Sequence, residues 1–115
     1  MVWRQIKLAK YGKLREAVFV KRRAYSLDIT LNRKRISKVI IDPHYEEKHA
    51  ASITDEIILR LVDTLDGEIV DPIELRPPYS YFVRDRIELD GKFYKLVWLL
   101  EDDEIYIGVV NAHRR

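Results

Sequence analysis

At 115 residues, 47% of them hydrophobic and 35% charged, the chain has the size and composition of one globular domain rather than a disordered tail. It contains no cysteine, which excludes disulfides and thiolate chemistry. The net charge of +2 conceals a split: residues 1–42 hold 12 Lys/Arg against 3 Asp/Glu (+9), and residues 43–115 hold 9 against 16 (−7).

The first 42 residues read as a basic, β-rich segment. Residues 3–13 suit either a helix or a strand, and the apolar run 17–20 suits a buried strand. Tyr25, Leu27, Ile29 and Leu31 alternate with polar residues, the period of a half-buried strand. A polar turn at Asn32-Arg33-Lys34-Arg35 predicts a hairpin returning through residues 36–41. Arg22, Arg23, Arg33, Lys34 and Arg35 then gather at the hairpin ends, a candidate footprint for a polyanion. The competing reading is that these cations neutralise the acidic remainder of the same domain.

Beyond Asp42-Pro43 the pattern becomes helical. A short helix is expected over residues 44–50 and a longer one over 54–65, with Thr54 as N-cap, Asp55 and Glu56 in the first turn and Gly67 past the end. Ile57, Ile58, Leu61, Val62 and Leu65 form its apolar stripe. Pro72, Pro77 and Pro78 keep residues 68–78 irregular or at a sheet edge.

The last third predicts a β-meander. Residues 81–89 and 92–100 flank Asp90-Gly91, a strong hairpin signal, and a third strand covers 104–110 after Glu101-Asp102-Asp103. Two-residue turns pair Leu89 with Lys92, Ile87 with Tyr94, Val83 with Trp98 and Tyr81 with Leu100; then Leu100 with Ile105, Trp98 with Ile107 and Leu96 with Val109. These residues share an apolar face that should cover the helix. Asp85 falls on it as a misfit. The opposite face receives Phe82, Arg84, Arg86, Glu88, Phe93, Lys95, Val97, Leu99, Tyr106 and Gly108, a mixture of cations and aromatic rings suited to RNA. The expected architecture is therefore an α+β domain over residues 1–115. It combines an antiparallel sheet, made of an N-terminal hairpin region and a C-terminal meander, with one main helix and a short helix before it.

The chemistry available is narrow. His44 and His49 do not share a helical face, so no metal site is expected, and no glycine-rich phosphate loop or serine elbow occurs. No cofactor is implied. No apolar run has the length of a signal peptide or a membrane span, so a cytoplasmic protein without a membrane partner is expected. Acid–base chemistry by His, Tyr, Lys and Arg is enough to cleave RNA, which carries its own 2′-OH nucleophile.

The run Lys48-His49-Ala50-Ala51-Ser52-Ile53-Thr54-Asp55-Glu56-Ile57-Ile58 resembles the K-H-x-x-x-I-T-x-x-x-I opening of small nuclease domains of the barnase–EndoU–colicin–RelE superfamily. The ending Val109-Val110-Asn111-Ala112-His113-Arg114 is similar to that family's last strand. The resemblance covers residues 43–115. It implies two helices before a twisted antiparallel sheet, a toxin-type, metal-independent endoribonuclease activity, and an antitoxin protein as a possible partner. It carries over Lys48, His49, Asn111 and His113. With the face reading, the candidate catalytic set becomes His49, Arg84, Tyr106 and His113, with Lys48, Arg86 and Lys95 joining the hairpin cations as RNA contacts. The alternative is a non-catalytic module that binds nucleic acid or protein through the basic N-terminal segment.

Overall fold

Residues 22–42 and 53–115 are described in the computed structural model. The expected strand at 17–20, the short helix at 44–50 and the residues Lys48 and His49 lie outside them. Among the described residues, six strands form one mixed sheet and one helix packs on it, an α+β arrangement dominated by sheet. The strands are β1 (Arg23–Leu31), β2 (Lys34–Ile41), β3 (Glu74–Arg76), β4 (Tyr79–Leu89), β5 (Lys92–Glu101) and β6 (Tyr106–Arg114); the helix, α1, is Asp55–Asp63. Their order across the sheet is β1-β2-β6-β5-β4-β3. No helix among the described residues is long and apolar enough to cross a membrane.

Local signals account for most elements. Thr54 is extended and its Oγ1 accepts the Ile57 N–H at 3.2 Å, capping α1. Asp55 and Glu56 face the positive end of the helix dipole, and Arg60 sits in the last turn. Gly67 takes φ +82 and donates its N–H to the Thr30 carbonyl at 2.7 Å, turning the chain back along β1. The β1–β2 turn consists of Asn32-Arg33 alone, both at positive φ, so Lys34 and Arg35 already belong to β2. Asp90-Gly91 closes the β4–β5 hairpin as expected.

The sheet departs from the expected all-antiparallel plan at one seam. β2 and β6 run parallel, with Lys38 beside Tyr106 and Ile41 beside Val109. This seam splices the N-terminal hairpin onto the meander, so residues from both sides of Asp42 share one sheet. The helix-facing core holds Ile29, Leu31, Ile36, Val39 and Ile41 from the hairpin and Phe82, Ile87, Tyr94, Leu96, Trp98, Ile107 and Val109 from the meander. Ile58, Leu61, Val62 and Leu65 close it from above. Phe82 stacks on Trp98, with ring centroids 5.5 Å apart.

The register differs from expectation in two places, each with a physical reason. Leu89–Lys92 and Ile87–Tyr94 pair as predicted, but a shift lies between Arg84 and Ile87, where Arg86 adopts φ 56. Beyond that bulge Phe82, not Val83, opposes Trp98, and Arg84 opposes Leu96. Phe82 and Arg84 thereby move to the helix face, and Val83 and Tyr81 to the other. The misfit at Asp85 was the mark of this bulge: Asp85 is exposed and its carboxylate accepts the Arg86 N–H at 2.8 Å. At the second turn the chain runs on through Ile105 before pairing. Leu100 then meets Ile107, Trp98 meets Val109 and Leu96 meets Ala112, while Ile105 stays 57% exposed.

Candidate nucleic-acid interface

The face of the sheet turned away from α1 has two ends of different character. At one end, Lys38, Tyr106, Glu101 and Tyr79 lie in a row across β2, β6, β5 and β4. The Tyr106 hydroxyl donates to Glu101 Oε1 at 2.5 Å, and Lys34 Nζ donates to the Glu101 carbonyl at 2.7 Å. Lys38, Ile40, Glu101, Glu104, Ile105 and Tyr106 line a concavity of about 330 Å³ there. Tyr106 is buried, and burial followed by its bond to Glu101 pushes its phenol far above the ordinary tyrosine range. It stays protonated at neutral pH, and its ring is covered rather than offered for stacking.

At the other end the face carries Phe93, Lys95 and His113. Lys95 and His113 are direct cross-strand partners on β5 and β6 and share that face. The Arg86 guanidinium lies over the Phe93 ring, 4.6 Å from its centroid, placed there by the positive φ of the bulge. Arg115 donates its N–H to the Phe93 carbonyl at 2.8 Å, and its side chain pairs with Asp85 at 2.9 Å. Phe93, Lys95 and His113 are half-buried, and Arg86 is exposed. Four cationic or titratable side chains thus surround one aromatic ring.

The expected catalytic set is not brought to one place. Tyr106 and His113 are at opposite ends of β6, seven residues or roughly 23 Å apart at the rise of an extended strand. Arg84 is on the helix face, where it pairs with Glu68 at 3.1 Å. His49 lies outside the described residues. Of that set, His113 alone joins the patch around Phe93, together with the expected RNA contacts Arg86 and Lys95. Asn111, also suggested by the resemblance, opposes Val97 one step along the same face.

Several hairpin cations are committed within the fold. Arg22 is buried beside the fully buried Asp42, with Nη2 3.7 Å from Oδ2. Arg23 grips Asp55 with Nε at 2.5 Å and Nη2 at 2.9 Å, and the Tyr25 hydroxyl donates to the same carboxylate. Arg35 pairs with Asp28 at 3.2 Å on the surface, and Arg33 is exposed at the turn. That turn is held by Asn32, whose side chain bonds both main-chain groups of Val70. The neutralisation reading of the charge split therefore describes Arg22 and Arg23, while the tip of the turn remains a cationic surface.

No protein-family model, no curated protein and no solved structure matches this chain.

Proposed function

We propose that this protein is a non-catalytic RNA-binding module whose contact surface is the Arg86–Phe93–Lys95–His113 end of the open sheet face. The observation that carries the reading is Arg86 lying flat over Phe93 with Lys95 and His113 beside it. A guanidinium stacked on a ring presents its outer plane to a nucleobase, and the lysine and terminal arginines supply phosphate contacts. The patch is open and shallow, as single-stranded RNA requires, since unstacked bases must reach the ring from solvent. A short helix over residues 44–50, bearing Lys48 and His49, belongs to this reading as a further basic element.

The test is a titration of a fluorescent single-stranded RNA at several salt concentrations. Arg86→Ala and Lys95→Ala should each weaken binding several-fold. Each should also flatten the dependence of affinity on salt by about one unit per phosphate contact removed. The Arg33-Lys34-Arg35 turn is at the far end of the sheet, so reversing those charges separates the two candidate surfaces. Absence of binding at low salt, or binding indifferent to Arg86 and Lys95, would overturn the proposal.

A second reading is favoured by one observation, the pairing of His113 with Lys95. An imidazole beside a cation is a usable acid or base, and the pair supports a RelE-like endoribonuclease that works through the substrate's own 2′-OH. Such an enzyme would be held in check by an antitoxin partner. Cleavage that yields 2′,3′-cyclic phosphate ends, persists in EDTA and is lost in His113→Ala would establish it.

A further inference from the structure

The six-stranded sheet has two edges. The β1 edge is partly closed: the Thr30 N–H is taken by Asp66 at 2.8 Å and its carbonyl by Gly67 at 2.7 Å. The other edge is β3, three residues whose side chains are all exposed. Leu75, its central residue, is 65% exposed, and Ile73 just before it is 64% exposed. A bare edge strand with outward apolar side chains is a template for adding another strand, and folded proteins normally blunt it.

The order of residues in β3 names the strand that fits. Glu74, Leu75 and Arg76 read, in reverse, as the same segment with its charges exchanged. In an antiparallel pairing about a two-fold axis at Leu75, Glu74 of each copy stands opposite Arg76 of the other, and Leu75 meets Leu75. Opposite charges directly across an antiparallel ladder stabilise it and like charges oppose it. A parallel pairing, or one slipped by a residue, loses both matches. Within one copy Arg76 Nε already donates to Glu74, which places the two side chains on one face, as a four-charge cluster across the axis requires. The arrangement is isologous and closes after two copies.

We infer that a second copy of this chain is the partner of β3, and that two protomers join edge to edge into a continuous twelve-stranded sheet, two sets of the six strands seen here. The contact is short, so the dimer is weak, with dissociation in the range of roughly 10⁻⁵ to 10⁻³ M expected of a small interface.

Sedimentation equilibrium of the full chain over a concentration series tests this. The wild type should show a reversible monomer–dimer equilibrium. Glu74→Arg and Arg76→Glu each place like charges opposite one another, so each variant alone should sediment as a monomer at concentrations where the wild type dimerises. Mixed in equal amounts, the two variants become complementary at both positions and should recover the dimer. Circular dichroism of each variant guards against misfolding, and recovery on mixing is itself evidence that both are folded. A wild type that stays monomeric at millimolar concentration would overturn the proposal. So would a dimer that survives either reversal, or a mixture that fails to reassociate. None of these residues belongs to the Phe93 patch, so RNA binding and dimerisation can fail independently.

Discussion

Arg23 and Asp55 are joined by two hydrogen bonds that pin the first turn of α1 to the first strand of the sheet. Asp55 also serves the helix dipole, and the Tyr25 hydroxyl donates to the same carboxylate. Three roles therefore converge on one side chain that is only 19% exposed.

Asp55→Asn keeps the shape and removes the charge. Charge-assisted hydrogen bonds contribute about 1.5–3 kcal/mol, so this substitution should lower the unfolding free energy by that order. Arg23→Ala should cost a similar amount, and the double variant less than the sum, because each single change orphans the other partner. Urea denaturation of the four proteins measures the coupling. Strict additivity would mean that the pair does not hold the helix in place.

Trp98 is completely buried against Phe82, and its indole Nε1 has no hydrogen-bond partner among the described residues. Trp98→Ala should cost about 3–5 kcal/mol. Trp98→Phe should cost clearly less, since it removes a buried polar group that has no partner and keeps a ring for the stack. The ranking is read from denaturation midpoints. Equal losses would show that the volume of the indole, and not its stacking on Phe82, is what the site requires.

The bulge at Arg86 separates structure from binding. Glycine at positive φ avoids a strain of about 1 kcal/mol, and the exposed guanidinium–ring contact that would be lost is worth a similar amount. Arg86→Gly should therefore leave stability within about 0.5 kcal/mol of wild type while RNA affinity falls. Equal affinity with equal stability would remove Arg86 from the interface.

Alkali should destabilise the fold through its tyrosines. The Tyr25 phenol is raised by its bond to Asp55, Tyr79 and Tyr81 by burial, and Tyr106 by burial and then by Glu101. A folded value above the unfolded one means that the contribution is intact below the ordinary tyrosine value of 10.0 and is lost as pH rises through the folded values. Stability should thus fall above that pH, and phenolate absorbance should appear late and together with unfolding. Early, fully reversible ionisation of all seven tyrosines in the native protein would contradict it.

Much of this architecture is legible in local sequence, because local rules place it. Thr54, Asp90-Gly91 and the alternation of Tyr94, Leu96 and Trp98 each carry their own stereochemistry. What escapes is non-local or conformationally unusual. Nothing in the residue type of Arg86 announces a positive φ, and one extra residue there exchanged the faces of Arg84 and Val83. The only trace was Asp85 on an apolar face. The candidate site divides along the same line. Lys95 and His113 fall on the expected face because β5 and β6 alternate regularly there. Tyr106 also reaches that face, but at the opposite end, because the second turn runs two residues longer than its acidic composition suggests.

The parallel seam between β2 and β6 has a consequence for assembly. Every other strand pair in the sheet joins hairpin neighbours or strands adjacent in the meander, whereas Lys38 must find Tyr106 across most of the chain. Chain entropy opposes such long-range pairing until the local pairs are in place. The meander is thus expected to form as a unit, with the β1–β2 hairpin docking on it afterwards. Undocking of that hairpin is then the cheapest large-scale opening, and the main-chain amides of Val39 and Ile41 are where solvent hydrogen would enter first.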